Sequence, residues 1–321
     1  YEMTMTITRR EALEKMFKVV VAVGAANFFT FEDLLAFDSG KTIKPNIIWL
    51  HGSSCSGCSC ALFNIEDVSV IDILTKFTNI IYHPDISLAT GHHVVDILDK
   101  AAKELKNDYL MVVEGAIPVK LPHACIMSDR PMTQWIEQMA GSALACVAAG
   151  TCAAYGGITA MEGMTTGTMQ LDKFLKSKNI NKAVVNLPNC PMKPEHLMYV
   201  IFHYAKFKTI PNLDSEGRPV RFYSHTVHER CLYYSDFQEE NFAKKIGDVG
   251  CLLKLGCQGP VTKNDCMTIG HNNNTNTCIK AGHPCIGCAS KHFPRQIMMH
   301  SYGDKRAIVK FKNNHMRGEK A

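Results

Sequence analysis

Fourteen cysteines in 321 residues are spaced as metal donors, and that spacing most limits what the chain can fold into. Cys55–Cys58 and Cys285–Cys288 are Cys-x-x-Cys pairs, His228–Cys231 is a His-x-x-Cys pair, and Cys251, Cys257, Cys266 and Cys278 lie between the last two. A two-residue gap lets one turn of backbone aim two soft donors at one ion, whereas a disulfide between such neighbours closes a strained small ring. The proportion is high for a plain reduced core and low for a small disulfide scaffold. Metal ligation is therefore expected. Zinc and iron–sulfur clusters draw on the same Cys₄ and Cys₃His sets, so spacing alone does not separate them.

The length favours two domains. A hydrophobic share of 46% with 20% charged residues is that of an ordinary globular protein, which excludes disordered, collagen-like and coiled-coil chains. No run approaches the roughly 18 consecutive apolar residues of a membrane span. The net charge of +5 comes without a basic block, so no nucleic-acid partner is expected.

Residues 1–43 read as a signal-like segment and linker. Thr8-Arg9-Arg10-Glu11-Ala12-Leu13 puts paired arginines ahead of the apolar stretch Val19–Ala26, the order found in an export signal of twin-arginine type. The competing reading is an amphipathic surface helix with both arginines solvated. The twin-arginine route carries folded proteins, so metal centres can be loaded in the reducing cytoplasm before export. No clean Ala-x-Ala site follows the stretch, which makes the segment a candidate for retention.

From residue 44 to about 205 apolar runs alternate with helical patterns. Asn46–Leu50, Asn79–Tyr82, Tyr109–Val113, Ala143–Val147 and Lys182–Asn186 read as buried parallel strands, with Ala61–Phe77 and Gly91–Leu105 as helices between them. This alternation predicts an open, doubly wound α/β sheet, whose ligands bind beyond the carboxyl ends of the strands. Cys55 and Cys58 follow the first strand, Glu114 the third, Cys152 the fourth and Cys190 the fifth. Four cysteines from separate strand ends can thus converge. The glycine-rich Gly150–Gly157 segment, opening with a cysteine turn, reads as a ligand loop. Residues 206–321 lose apolar periodicity to ligands and turn formers, and a segment of that kind needs metal to supply folding energy.

An ordered set of motifs resembles the small subunit of [NiFe] hydrogenases. It comprises Trp49-Leu-His-Gly-Ser-Ser-Cys55-Ser-Gly-Cys58-Ser, Glu114-Gly-Ala-Ile-Pro118, Gly150-Thr-Cys152-Ala-Ala-Tyr-Gly-Gly157 and Asn189-Cys190-Pro191. It continues with Val227-His228-Glu-Arg-Cys231, Gly256-Cys257-Gln-Gly-Pro260 with Cys266, and Gly282-His-Pro-Cys285-Ile-Gly-Cys288. The resemblance implies a flavodoxin-like doubly wound domain over 44–205 and an irregular, mostly helical iron–sulfur domain over 206–321. It also implies three iron–sulfur clusters in a row, with the nickel–iron site in a large partner subunit and no hydrogenase activity in this chain alone.

Carried over residue by residue, the resemblance assigns Cys55, Cys58, Cys152 and Cys190 to a proximal [4Fe–4S] cluster. It assigns His228, Cys231, Cys251 and Cys257 to a distal [4Fe–4S] cluster, and Cys266, Cys285 and Cys288 to a medial one. Many relatives carry a non-ligating proline seven residues before the cysteine matching Cys285, where this chain has Cys278. A fourth thiol there predicts a medial [4Fe–4S] cluster, with [3Fe–4S] as the alternative. Relatives with an oxygen-resistant proximal cluster carry extra cysteines at the positions of Gly57 and Gly157, so an ordinary proximal cluster is expected. Cys60 stands where many relatives have an acidic residue. It is either a modifier of the proximal cluster or a thiol at the start of the following helix.

Cys125 and Cys146 take no role in that assignment. Glu114 is read either as a group near the partner's active site that orients it or moves protons, or as a buried carboxylate satisfied by backbone N–H groups. His83, His92, His93 and His225 read as solvated or satisfied histidines. The implied function is electron transfer from H₂ oxidation to an external acceptor such as a cytochrome or a membrane quinone-reducing subunit. The implied setting is periplasmic or on the outer face of the membrane, in a heterodimer or an oligomer of heterodimers. A hydrogen sensor on the same subunit pair, disfavoured by Arg9-Arg10, and a zinc-stabilised binding module without redox role are the alternatives.

Overall fold

Five parallel strands form the central sheet: β1 (Asn46–His51), β2 (Asn79–Tyr82), β3 (Tyr109–Glu114), β4 (Ala145–Ala149) and β5 (Val184–Leu187), in the order β2-β1-β3-β4-β5. This is the doubly wound order of flavodoxin-like folds. The structure is a computed structural model describing residues 44–66, 68–161 and 164–294. The paired-arginine segment and the residues after 294 lie outside the described residues. Among the described residues no helix is long and apolar enough to cross a membrane.

The strands are apolar throughout because both faces are covered. Ile48, Leu50, Met111, Val113, Cys146 and Ala148 pack in one buried cluster with Trp135, Ile136 and Met139. Leu110 and Ala145 point the other way, onto Tyr204. The helices of this region are α1 (Gly57–Phe63), α2 (His92–Glu104), α3 (Met132–Ser142), α4 (Gly150–Tyr155), α5 (Leu171–Ser177) and α6 (Pro194–Phe207).

Several expected boundaries move. The helix expected over Ala61–Phe77 is two pieces: α1 ends at Phe63, and helix resumes only over 70–77. Between them Asn64 and Glu66 bond to the distant Asn272 and Asn273 instead of continuing the helix. The fourth strand starts two residues late because α3 runs to Ser142 and Ala143 still bonds to Met139. The fifth starts at Val184 rather than Lys182, whose ammonium caps the Ala143 carbonyl. The segment read as a ligand loop opens as α4, a six-residue helix. Ala153 and Ala154 favour helix, and Gly156, at φ 96°, ends it by bonding its N–H to Cys152 O.

After α6 the chain runs through turns and short helices, α7 (Val220–Tyr223), α8 (Tyr234–Gln238) and α9 (Cys266–Ile269), with 3₁₀ turns at Leu252–Leu255 and Gly259–Val261. Buried Cys257, Cys266 and Cys285 pack there with Val227, Leu252 and Ile279. The second region locks onto the sheet's carboxyl edge. Thr151 Oγ1 donates to Cys288 O, and Asn264 Nδ2 donates to Asn189 Oδ1 at 3.0 Å.

Candidate metal centres

Parallel register brings the ends of four strands into one row. His51 pairs with Glu114, Glu114 with Ala149, and Ala149 with Leu187. Cys55 and Cys58, Cys152, and Cys190 each follow one of these ends within a few residues, and Glu114 lies among them. Cys58 is buried, Cys152 and Cys190 are half-buried, and Cys55 is exposed. The backbone presses against three of these thiols. A Cβ at Gly57 would lie 3.1 Å from Cys55 Sγ, one at Gly150 would lie 2.5 Å from Cys58 Sγ, and one at Gly157 would lie 2.6 Å from Cys152 Sγ. Burial, then the nearby Cys152 and Cys55, push the Cys190 thiol up to about 11. Met192 N–H donates to Cys58 Sγ at 3.3 Å.

Glu114 organises this loop. Its buried carboxylate accepts from the Cys58 and Ser59 amides at 3.1 Å each, from Ser54 Oγ at 2.9 Å and from Ser59 Oγ at 2.5 Å. His51 Nε2 lies 3.2 Å from the same carboxylate. Burial raises the carboxyl, but hydrogen bonds from His51, Ser59 and Ser54 outweigh it and hold Glu114 at about 2. Two backbone N–H groups, two hydroxyls and an imidazole together surround this carboxylate.

His83 supports it from behind. Its Nδ1 accepts from Asp85 N–H at 3.1 Å, so Nε2 carries the proton and faces Ser59 Oγ at 3.3 Å. Burial pushes His83 down to about 4. His51, His83 and Asp85 are close enough to share a cation, but the Ser59 hydroxyl occupies the space between the two imidazoles and Glu114.

His228, Cys231, Cys251 and Cys257 line one cavity with Tyr233 and Ile279. Tyr233 and Gly259 amides donate to Cys231 and Cys257 sulfurs at 3.4 Å each. Burial pushes Cys257 up to about 11 and His228 below its ordinary range. Phe237 meets the His228 ring edge-on, 4.6 Å between centroids.

Cys266, Cys278, Cys285 and Cys288 line a second cavity with Thr262 and His271. Cys278 is therefore among the other three thiols. His271 Nε2 lies 3.4 Å from Cys266 Sγ, a half-buried neighbour that sequence reasoning missed because it sits in an asparagine-rich turn. Three consecutive left-handed asparagines, 272–274, shape that turn, a conformation asparagine tolerates better than most residues.

The three groups follow one another through space. Cys288 Sγ bonds to the side chain of Asn189, the residue before Cys190, and Cys285 packs in one buried cluster with Cys257, whose neighbour Gln258 donates its N–H to Cys285 O. Four thiols, four thiols, and three thiols with an imidazole are donor sets of iron–sulfur chemistry. Asn189 Oδ1 accepts from Cys288 Sγ at 3.0 Å. Its buried Nδ2 has no partner among the described residues, which leaves a donor of the kind that cluster sulfurs accept.

Three cysteines and three histidines remain among the candidates. Cys60 is exposed on α1. Cys146 is buried in β4, and burial pushes it up to about 12. Cys125 Sγ reaches His51 O at 3.5 Å. His92 and His93 are exposed, and His225 pairs with Glu229 on the surface. Among the described residues every cysteine is unpaired.

Sheet order and thiol-rich sets define a class, an α/β protein with several candidate metal sites. Comparisons with known proteins narrow it. Residues 55–204 match the family described as NADH ubiquinone oxidoreductase, 20 Kd subunit, and residues 223–301 match the C-terminal family of NiFe/NiFeSe hydrogenase small subunits. The small subunit of the periplasmic [NiFeSe] hydrogenase of Desulfomicrobium baculatum is 31% identical over 307 residues, covering 90% of this chain and 97% of that one. The hydrogenase-2 small chain of Escherichia coli K12 is 32% identical over 252 residues, covering 76% and 67%. A solved structure of the Dm. baculatum [NiFeSe] hydrogenase matches with a TM-score of 0.75 at 32% identity, covering 79% of this chain and 97% of that one.

The chain belongs to the small subunits of [NiFe] hydrogenases, components of an oxidoreductase complex.

Proposed function

We propose that this chain transfers electrons between a nickel–iron site in a large partner subunit and an external acceptor, through three iron–sulfur centres. The observation that carries the reading is the succession of thiol sets, with Cys288 bonded to Asn189 just before Cys190 and Cys285 packed in one buried cluster with Cys257. Cys55, Cys58, Cys152 and Cys190 would hold the proximal cluster, Cys266, Cys278, Cys285 and Cys288 a medial [4Fe–4S] cluster, and His228, Cys231, Cys251 and Cys257 the distal one. Such clusters supply one-electron redox couples whose potentials follow ligand type, charge and hydrogen bonds to sulfur. The division into a proximal-cluster domain over 44–205 and a second domain over 206–321 belongs to the same reading.

The protein's own part is to bind and to exclude water. Glu114 fixes the amides of Cys58 and Ser59, so that the Cys-x-x-Cys turn keeps its shape. Amides of Met192, Tyr233 and Gly259 donate to thiol sulfurs, which stabilises negative charge there. Cys58, Cys257, Cys266, Cys285 and Cys288 are all buried. His228 would mark the exit end, since an imidazole raises the potential relative to an all-thiolate set.

Export by the twin-arginine route to the periplasm or outer membrane face is supported by Arg9-Arg10 and by a relative named periplasmic. An acceptor such as a cytochrome or a quinone-reducing membrane subunit fits that address. The test is the nickel, iron and zinc content of the complex that co-purifies with this chain. Nickel with about twelve irons per chain, four to each [4Fe–4S] set, is expected. Iron without nickel would move the chain to another enzyme, and zinc alone would overturn the reading.

A further inference from the structure

A buried ion pair joins the loop after Cys190 to the residue before Cys266. Lys193 Nζ lies 2.5 Å from Asp265 Oδ1, with side chains 2% and 6% exposed. His196 Nε2 contacts the other carboxylate oxygen at 2.9 Å. A carboxylate only accepts, so this nitrogen carries the proton. The Tyr223 hydroxyl lies 3.0 Å from His196 Nδ1 and donates to Pro188 O at 3.1 Å, and Phe222 stacks on the imidazole with centroids 4.0 Å apart. Taking two charges out of water costs several kcal/mol per ion, so a buried pair is weak evidence for a stabilising role. Its placement suggests another use, because charge acts strongly where water is excluded.

We propose, resting on the electron-transfer reading above, that Lys193, held by Asp265 and His196, is a positioning residue for the medial set, its buried ammonium stabilising added negative charge at Cys266. Asp265 directly precedes Cys266 and holds the Lys193 ammonium on one carboxylate oxygen, while His196 fixes the other. At Cys266, burial pushes the thiol up, and the lowering by Lys193 ranks next, ahead of the opposing effect of Asp265. Cys190 stands only three residues before Lys193, yet its shift comes from burial, Cys152 and Cys55. Lys193 is tied through Asp265 directly to Cys266, whereas Pro191 and Met192 separate it from Cys190, so its effect is expected first at the medial set. Lys193 thus raises the potential at which the medial site accepts an electron.

The test is a redox titration of the purified complex followed by EPR, on wild type, Lys193→Arg, Lys193→Met and the double variant Lys193→Met/Asp265→Asn. In Lys193→Met the reduced-to-oxidised ratio of the medial centre at fixed potential is expected to fall at least tenfold, about 59 mV for one electron. The proximal ratio is expected to move less than twofold, and Lys193→Arg to stay within twofold at both centres. The double variant loses the opposing charge as well and is expected to fall more than twofold but less than Lys193→Met. A medial change under twofold in Lys193→Met, or equal shifts at both centres, would overturn the inference. Should Lys193→Met fail to assemble, the double variant decides by the same twofold criterion. Wild type without iron–sulfur signals would instead overturn the electron-transfer reading.

Discussion

Replacing Gly150 by alanine puts a methyl group where the thiol of Cys58 already sits. At φ 83° the residue is in a region that costs a side chain roughly 1–2 kcal/mol. The added Cβ would lie 2.5 Å from Cys58 Sγ and 3.4 Å from Asn189 O. The sulfur contact is about an ångström inside the ~3.5–4.0 Å optimum for non-bonded carbon atoms. Cys58 cannot swing away freely, because Met192 N–H donates to its sulfur, which itself reaches Ala149 O. Overpacking of this kind costs about 1–3 kcal/mol, so the total is roughly 2–5 kcal/mol, a large share of the usual ~5–15 kcal/mol of stability. Thermal unfolding of the purified complex, followed by circular dichroism, should show a Tm lower by at least about 4 °C. Iron should fall by about a third as the proximal set loses its geometry. Gly141→Ala in α3 is the control. No atom lies within 4 Å of its added Cβ, and helix propensity predicts a gain of about 0.5 kcal/mol. A Gly150→Ala complex with unchanged Tm and iron would refute the close approach of backbone and thiol.

Cys278→Ala removes one of four thiols around the medial cavity and should lower iron by about one per chain, with a three-iron EPR signal appearing; an unchanged iron count and spectrum would show that Cys278 does not bind. His83 prefers its neutral form in the folded state, its value falling from 6.5 to about 4. Its contribution is complete above pH 6.5 and is lost as pH falls from 6.5 through 4. The loss is at most about 3 kcal/mol. Urea unfolding of His83→Asn beside wild type should therefore show a stability gap that narrows by that amount over this range, and a constant gap would contradict it. Cys60→Ser, on the exposed surface of α1, should leave iron content and cluster spectra unchanged; a changed proximal spectrum would assign it a modifying role.

Much of the sheet was legible because buried parallel strands are written as apolar runs that flanking turns delimit. Asn46, Asn79 and Tyr109 begin strands as read. The fourth and fifth strands slipped by two residues because Ala143 and Lys182 are consumed by contacts with α3 that no local pattern announces. The break after Phe63 was hidden for a similar reason. Asn64 leaves the helix to bond with Asn272 and Asn273, more than two hundred residues away. Cys-x-x-Cys spacing drew attention to the right thiols, whereas Lys193, His196 and Asp265 carried no signal. A buried charge cannot be told from a solvated one until its partner, here 72 residues away, is in place.

The sequence by itself determined which donors act as neighbours within one turn, at Cys55 and Cys58, at His228 and Cys231, and at Cys285 and Cys288. That is local geometry, and a two-residue gap suffices for it. It also determined that the first half would be a parallel sheet, through the apolar runs of its strands. Only the tertiary structure decided that His51, Glu114, Ala149 and Leu187 end in one row, that Cys278 joins Cys266, Cys285 and Cys288, and that Cys288 bonds to Asn189 beside Cys190 while Cys285 packs with Cys257. Those relations depend on strand register and on docking the second region against the sheet's carboxyl edge, and both are products of long-range packing that no short window of residues encodes.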